Sequence, residues 1–141
     1  MDEAGLLRAS ERERALYDEL GAAYRALAAA LADEAAPVDP ETVTAHQQRV
    51  EATVEALRSI SAAVTPHRLS GAPVAADVAS LWRASAGLAA AALEANRKLG
   101  ALARARQAAL AARLAQLDEG RRALAGYRPS VAPVRAAAQR A

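Results

Sequence analysis

Apolar positions recur along this chain in steps of three and four. In the first third the larger ones are Leu6, Tyr17, Leu20, Tyr24, Leu27 and Leu31, and from Tyr17 onward the steps are 3, 4, 3 and 4. That spacing lines one face of a packed helix and predicts a first helix over about 2–34. Ser10 and Glu13 interrupt the stripe, so its first turns are expected to fray or pack loosely. Pro37 and Pro40 then break the pattern, and Asp39, Pro40 and Glu41 read as an N-cap, a first-turn proline and an acidic first turn. A second helix is predicted over 40–64, with Val43, Val50, Val54, Leu57 and Val64 on one face and His46 or Gln47 in the gap after Val43. Its end is placed at Thr65-Pro66, because the residue before a proline is pushed out of the helical region.

Residues 67–73 read as a loop around Ser70-Gly71, with Pro73 as the first residue of a third helix. The stripe Val74, Val78, Leu81, Ser85, Leu88, Ala92, Ala95, Leu99, Leu102 then alternates steps of 4 and 3. Arg106, Leu110, Leu114, Leu117 and Leu124 continue it after a four-residue insertion, a stutter that unwinds a supercoil locally without ending the helix. A helix over 73–125 would be about 80 Å long at ~1.5 Å per residue and would overhang its partners. Gly100 and Gly120, each about 1 kcal/mol worse than Ala in a helix, are the places for a bend. Gly126 fits the left-handed position just past a helix end. The pattern predicts an all-α fold: an elongated antiparallel three-helix bundle or helical hairpin, with a long C-terminal helix and a single domain over 1–128. Residues 129–141, with Pro129 and Pro133, are expected to form a flexible basic tail.

Composition narrows this picture. Of 141 residues 43 are Ala, 17 are Leu and none is Phe, so the apolar content is mostly methyl groups. Leu, Ile, Val and Phe together make 27 of 141, near the level of about 20% found in disordered chains, but the net charge of +2 is too small for disorder. Ala, Leu, Arg and Glu lose least on entering a helix, which excludes a β-rich or α/β enzyme fold. So few large side chains leave groove-like surfaces rather than a deep centre. The absence of Cys excludes disulfides, thiolate metal sites and cysteine nucleophiles. The longest uncharged run, Ala84 to Leu93, is ten residues, short of the ~20 that span a bilayer. Asp2 and Glu3 after the first Met argue against a secretory signal. The expectation is a cytoplasmic protein without membrane insertion.

The charge is polarised. Residues 1–96 carry 8 basic and 14 acidic side chains, a sum of −6, and residues 97–141 carry 10 and 2, a sum of +8. Either acidic and basic helix surfaces face each other and water, or the Arg-rich end meets an acidic partner. Tyr127 is the one ring among those arginines, so nucleic acid is not the expected partner. Enzyme chemistry has no foothold. His46 and His67 are 21 residues apart, the glycines are isolated, and Asp33-Glu34 and Asp118-Glu119 are adjacent pairs near expected helix ends. No catalytic residue, metal or cofactor is expected.

The informative stretch is the first half of the third helix. Trp82, the sole tryptophan, stands beside Leu81 on a helix that continues with Ala89 to Ala92. A large ring among small residues leaves shallow grooves in which another helix can lie, or else simply caps the core. Asn96 follows Trp82 by fourteen residues and precedes Gly100 by four. A mid-helix Asn is a poor helix former whose amide points to a specific hydrogen bond or a register-setting role.

With Trp82, Asn96 and Gly100 at this spacing, over roughly 10–128, the chain resembles the FlgN family of flagellar type III export chaperones. The resemblance implies a cytoplasmic chaperone that binds the C-terminal helices of hook-filament junction proteins, prevents their premature assembly and delivers them to the flagellar export gate, with Tyr127 contacting that gate. The client surface is expected at Val78, Leu81, Trp82, Leu88, Ala89, Ala92, Leu93, Asn96, Leu99, Gly100 and Leu102, on a monomer or weak dimer. Two alternatives stay open: a structural coiled coil or self-associating bundle without such a client, and a filament-cap-type export chaperone.

Overall fold

The computed structural model describes residues 1–127. Three helices account for almost all of them: α1 (Glu3–Ala32), α2 (Pro40–Leu69) and α3 (Ala76–Tyr127), and no strand occurs among the described residues. The chain divides into two compact units, Met1–Ala103 and a second that begins at Arg104, and α3 contributes to both. The fold is all-α, as the composition predicts.

Local chemistry starts α1 and α2 where an acidic cap meets free N–H groups. Asp2 caps α1, its carboxylate accepting from the Gly5 backbone N–H at 2.8 Å. Asp39 caps α2, accepting from the Glu41 N–H at 3.2 Å and from the Thr42 hydroxyl at 2.8 Å. These bonds, that from Thr42 foremost, hold the Asp39 carboxyl below its ordinary pKa, because they favour the charged form. α3 begins later than Pro73; its first closing bond runs from the Ala79 N–H to the Ala75 carbonyl at 3.1 Å.

Two helix ends depart from expectation. α2 does not stop at Thr65-Pro66 but continues through Pro66 to Leu69. A proline there removes one helical donor and crowds the carbonyl four residues back. The last turn survives because its side chains are anchored elsewhere: Arg68 makes an ion pair with Glu13 of α1 at 2.6 Å and lies 5.2 Å from the centroid of the Trp82 ring of α3. The Ser70 N–H then closes on the Pro66 carbonyl at 3.0 Å, and Gly71, at φ 65°, turns the chain away. α3 runs through Gly100, Gly120 and Gly126, so Gly126 is a helical residue rather than a left-handed stop. The expected flexible tail, 129–141, lies outside the described residues.

In the first unit α2 runs antiparallel to α1 and α3, which run parallel to each other. One apolar layer joins Leu6 and Ala9 of α1, Val64 of α2 and Val78 of α3, with Leu7, Ile60, Val74 and Trp82 packed on it. A second joins Leu16 and Leu20, Leu57 and Ala92, flanked by Tyr17, Tyr24, Val50, Val54 and Ile60. Leu16, which the spacing from Leu6 to Tyr17 passes over, is one of the most deeply buried side chains. Gly21 is buried on α1, and a Cβ there would lie 3.9 Å from the Ala92 backbone, so the small residues let α1 and α3 approach closely.

Candidate functional site

Between the two apolar layers lies a polar one, on the residues expected to loosen α1. Ser10 and Glu13 are both buried, at steps of 4 and 3 from Leu6, so the stripe is continuous and only its chemistry changes. Far from fraying, these turns are among the best packed in the molecule. Buried polar groups persist only when partnered. The Ser10 hydroxyl accepts from the Trp82 indole N–H at 2.9 Å. The Glu13 carboxylate accepts from the Ser61 hydroxyl at 2.9 Å and, on its other oxygen, from the Arg68 guanidinium at 2.6 Å. Ser61 is level with Glu13; Arg68 stands two turns along α2 and reaches back. The Glu13 side chain is 1% exposed and that of Arg68 39%, so the ion pair has one end in the interior and one at the surface.

Beside this layer lies an open groove of ≈ 470 Å³, lined by Tyr17, Arg68, Val74, Ala79, Trp82, Arg83, Ser85, Ala86 and Ala89. Its floor is apolar and two guanidinium groups stand on its walls. Ser85 lines it too; the residue is 3% exposed and its hydroxyl has no hydrogen-bond partner among the described residues.

The eleven residues expected to form one client surface fall on two faces of α3. Val78 and Ala92 are buried against α1 and α2 and offer nothing to a partner, which removes them from any exposed surface. Leu81, Leu88, Leu99 and Leu102 share their steps of three and four and are half-buried. Trp82, Ala89, Leu93, Asn96 and Gly100 lie on the adjoining face, where Ala79, Trp82, Ala86, Ala89, Leu93, Asn96 and Gly100 follow one another at 3, 4, 3, 4, 3 and 4. On this outer stripe Leu93 is 61% exposed, and Ala86 and Asn96 are also exposed. Trp82 belongs to both readings offered for it: it packs on the core, and it lines the groove.

The rest of α3 is described by itself. In the second unit Leu110, Leu114, Leu117 and Leu124 are exposed, as is Tyr127, the last described residue. His46 is half-buried on α2. Among the described residues no three His, Cys, Asp or Glu side chains come together as a metal site, and no helix is long and apolar enough to cross a membrane.

The polar layer was detectable in the sequence at its α1 end, since Ser10 and Glu13 occupy stripe positions without breaking the step. Their partners, 48 to 72 residues away, carry no comparable signal. Compared with protein families, curated proteins and solved structures, the chain matches none of them.

Proposed function

We propose that this chain is a helix-binding protein of the export-chaperone kind, whose client is the amphipathic C-terminal helix of a hook-filament junction protein. The observation that carries this reading is the outer stripe of α3: apolar and small residues at helix-packing spacing, left open beside an apolar groove, with no helix of the first unit covering Leu93. Small residues let a second backbone come close, Trp82 supplies a rigid rim, and the amide of Asn96 can fix the register of the incoming helix. Arg83 and the outer edge of Arg68 offer cations to acidic residues flanking the client's apolar face. The client is thereby kept from assembling, and the chaperone gains stability by mass action from the helix it holds. Delivery to the export gate, with Tyr127 as the contact, extends the same reading. Titration calorimetry with C-terminal junction-protein peptides tests it. Native protein should bind one to one, and Leu93→Asp, at an exposed position that leaves the fold intact, should bind at least about tenfold more weakly, ~1.4 kcal/mol. Equal affinity for the two proteins overturns the assignment.

A further inference from the structure

We propose that the second unit of α3 pairs with the same segment of a second copy of this chain as a parallel, in-register coiled coil. Leu110, Leu114, Leu117 and Leu124 are 53, 63, 67 and 72% exposed and are separated by 4, 3 and 7 residues. In heptad terms Leu110, Leu117 and Leu124 take the d position and Leu114 an a position, and Gln107 and Arg121 take the neighbouring a positions. The helix is already formed over this stretch. Among the described residues nothing covers these leucines, and the polar Gln107 and Arg121 at a positions restrict the register and the number of strands at some cost in stability.

Charge on the flanks selects the occupant. Arg113 is at a g position and Asp118, five residues on, at the following e position. In a parallel in-register pair these two face each other across the interface, so Arg113 of each copy meets Asp118 of the other, twice by symmetry. Among the described residues neither has an ion-pair partner within its own chain. An antiparallel pair sets g beside g and e beside e, so Arg113 would not have Asp118 opposite it. Arg121 at an a position weakens the pair while fixing its register, so the dimer is reversible. This stripe keeps the three-four register of the outer stripe, reached from Gly100 through Ala103 and Gln107, but starts beyond it along α3, and the inference does not depend on the proposed function.

Sedimentation velocity of the full chain over a roughly hundredfold concentration range should show a monomer–dimer equilibrium. Leu114→Asp should remain monomeric throughout with unchanged circular dichroism. Asp118→Arg should weaken the dimer roughly fivefold, and adding Arg113→Asp should restore it. Leu117→Cys, the sole cysteine in such a chain, should cross-link in high yield under mild oxidation because the two copies are in register. A native chain that stays monomeric, a charge-swapped double variant that does not recover, or a cysteine variant that does not cross-link overturns the proposal. Peptide calorimetry with Leu114→Asp separates the two ideas: client affinity should be retained there and lost only in Leu93→Asp.

Discussion

From Val78 to Ala95 the inner face of α3 is made of small and polar residues together with Leu81 and Leu88, and its Val78, Ser85, Ala92 and Ala95 are buried. From Leu110 to Leu124 the face is richer in leucine, and those leucines are exposed. The spacing is the same in both. Burial therefore does not follow the size of the side chain; it follows the presence of α1 and α2, whose own stripes meet the first stretch. The weaker-looking half of the helix holds the core, and the stronger-looking half is left to find a partner. An exposed apolar row of this kind marks an interaction surface more often than an accident.

The most demanding check on this contrast is truncation at matched residues. Leu16→Ala should destabilise the first unit by about 3 kcal/mol in urea unfolding, whereas Leu114→Ala, under monomeric conditions, should cost less than about 0.5 kcal/mol. Similar losses at both sites would mean that the second stripe is covered within the chain. Next in size is Arg68→Ala, which strands the buried Glu13 carboxylate; about 2 kcal/mol is expected, below the ~3–5 of fully buried pairs because the guanidinium is partly in water. Trp82→Phe keeps the ring packing and removes the indole donor to Ser10. Urea unfolding should register about 1 kcal/mol, with helicity preserved.

Smaller effects sharpen the same comparison from the helix backbone. Nothing lies within 4 Å of a Cβ placed at Gly87 or Gly120. Alanine at either position should strengthen α3 by roughly 0.5–1 kcal/mol, read as a higher melting temperature for Gly87→Ala and as greater helicity at elevated temperature for Gly120→Ala. The smallest effect is at the α2 cap. Because the folded Asp39 carboxyl titrates below its ordinary value of 3.8, its contribution is fully present above that value and is lost as pH falls through the folded pKa. Carboxyl NMR titration should find Asp39 below the ordinary value of 3.8, and Thr42→Ala should raise it, since the Thr42 hydroxyl is the main cause of the shift. An Asp39 titration unmoved in Thr42→Ala would assign the depression elsewhere.

Much of the fold was legible in the residues. Asp39-Pro40-Glu41 marks the start of α2, and Val50, Val54, Leu57 and Val64 do face the core. The end of α2 was not legible, because proline's local cost points to a stop at Thr65, whereas Arg68 finds two anchors on other helices. Ser10 and Glu13 misled for a related reason. A polar residue in a stripe reads as a gap until its partners are known, and those partners sit on α2 and α3. The candidate site was legible as a set of residues on one helix. Its division into an inner and an outer face depends on which side α1 occupies.

By itself the sequence determined what depends on a single segment of chain: helix formation, the cap at Asp39, and the three-four spacing that places Trp82, Leu93, Asn96 and Gly100 on one stripe. The tertiary structure decided what depends on two or more segments. It chose Val78 and Ala92 for the interior, tied Ser10 and Glu13 to Trp82, Ser61 and Arg68, and left the leucines beyond Arg104 open. Periodicity is a property of one helix, but burial and hydrogen-bond partnership are properties of a pair, and only the assembled fold supplies the second member.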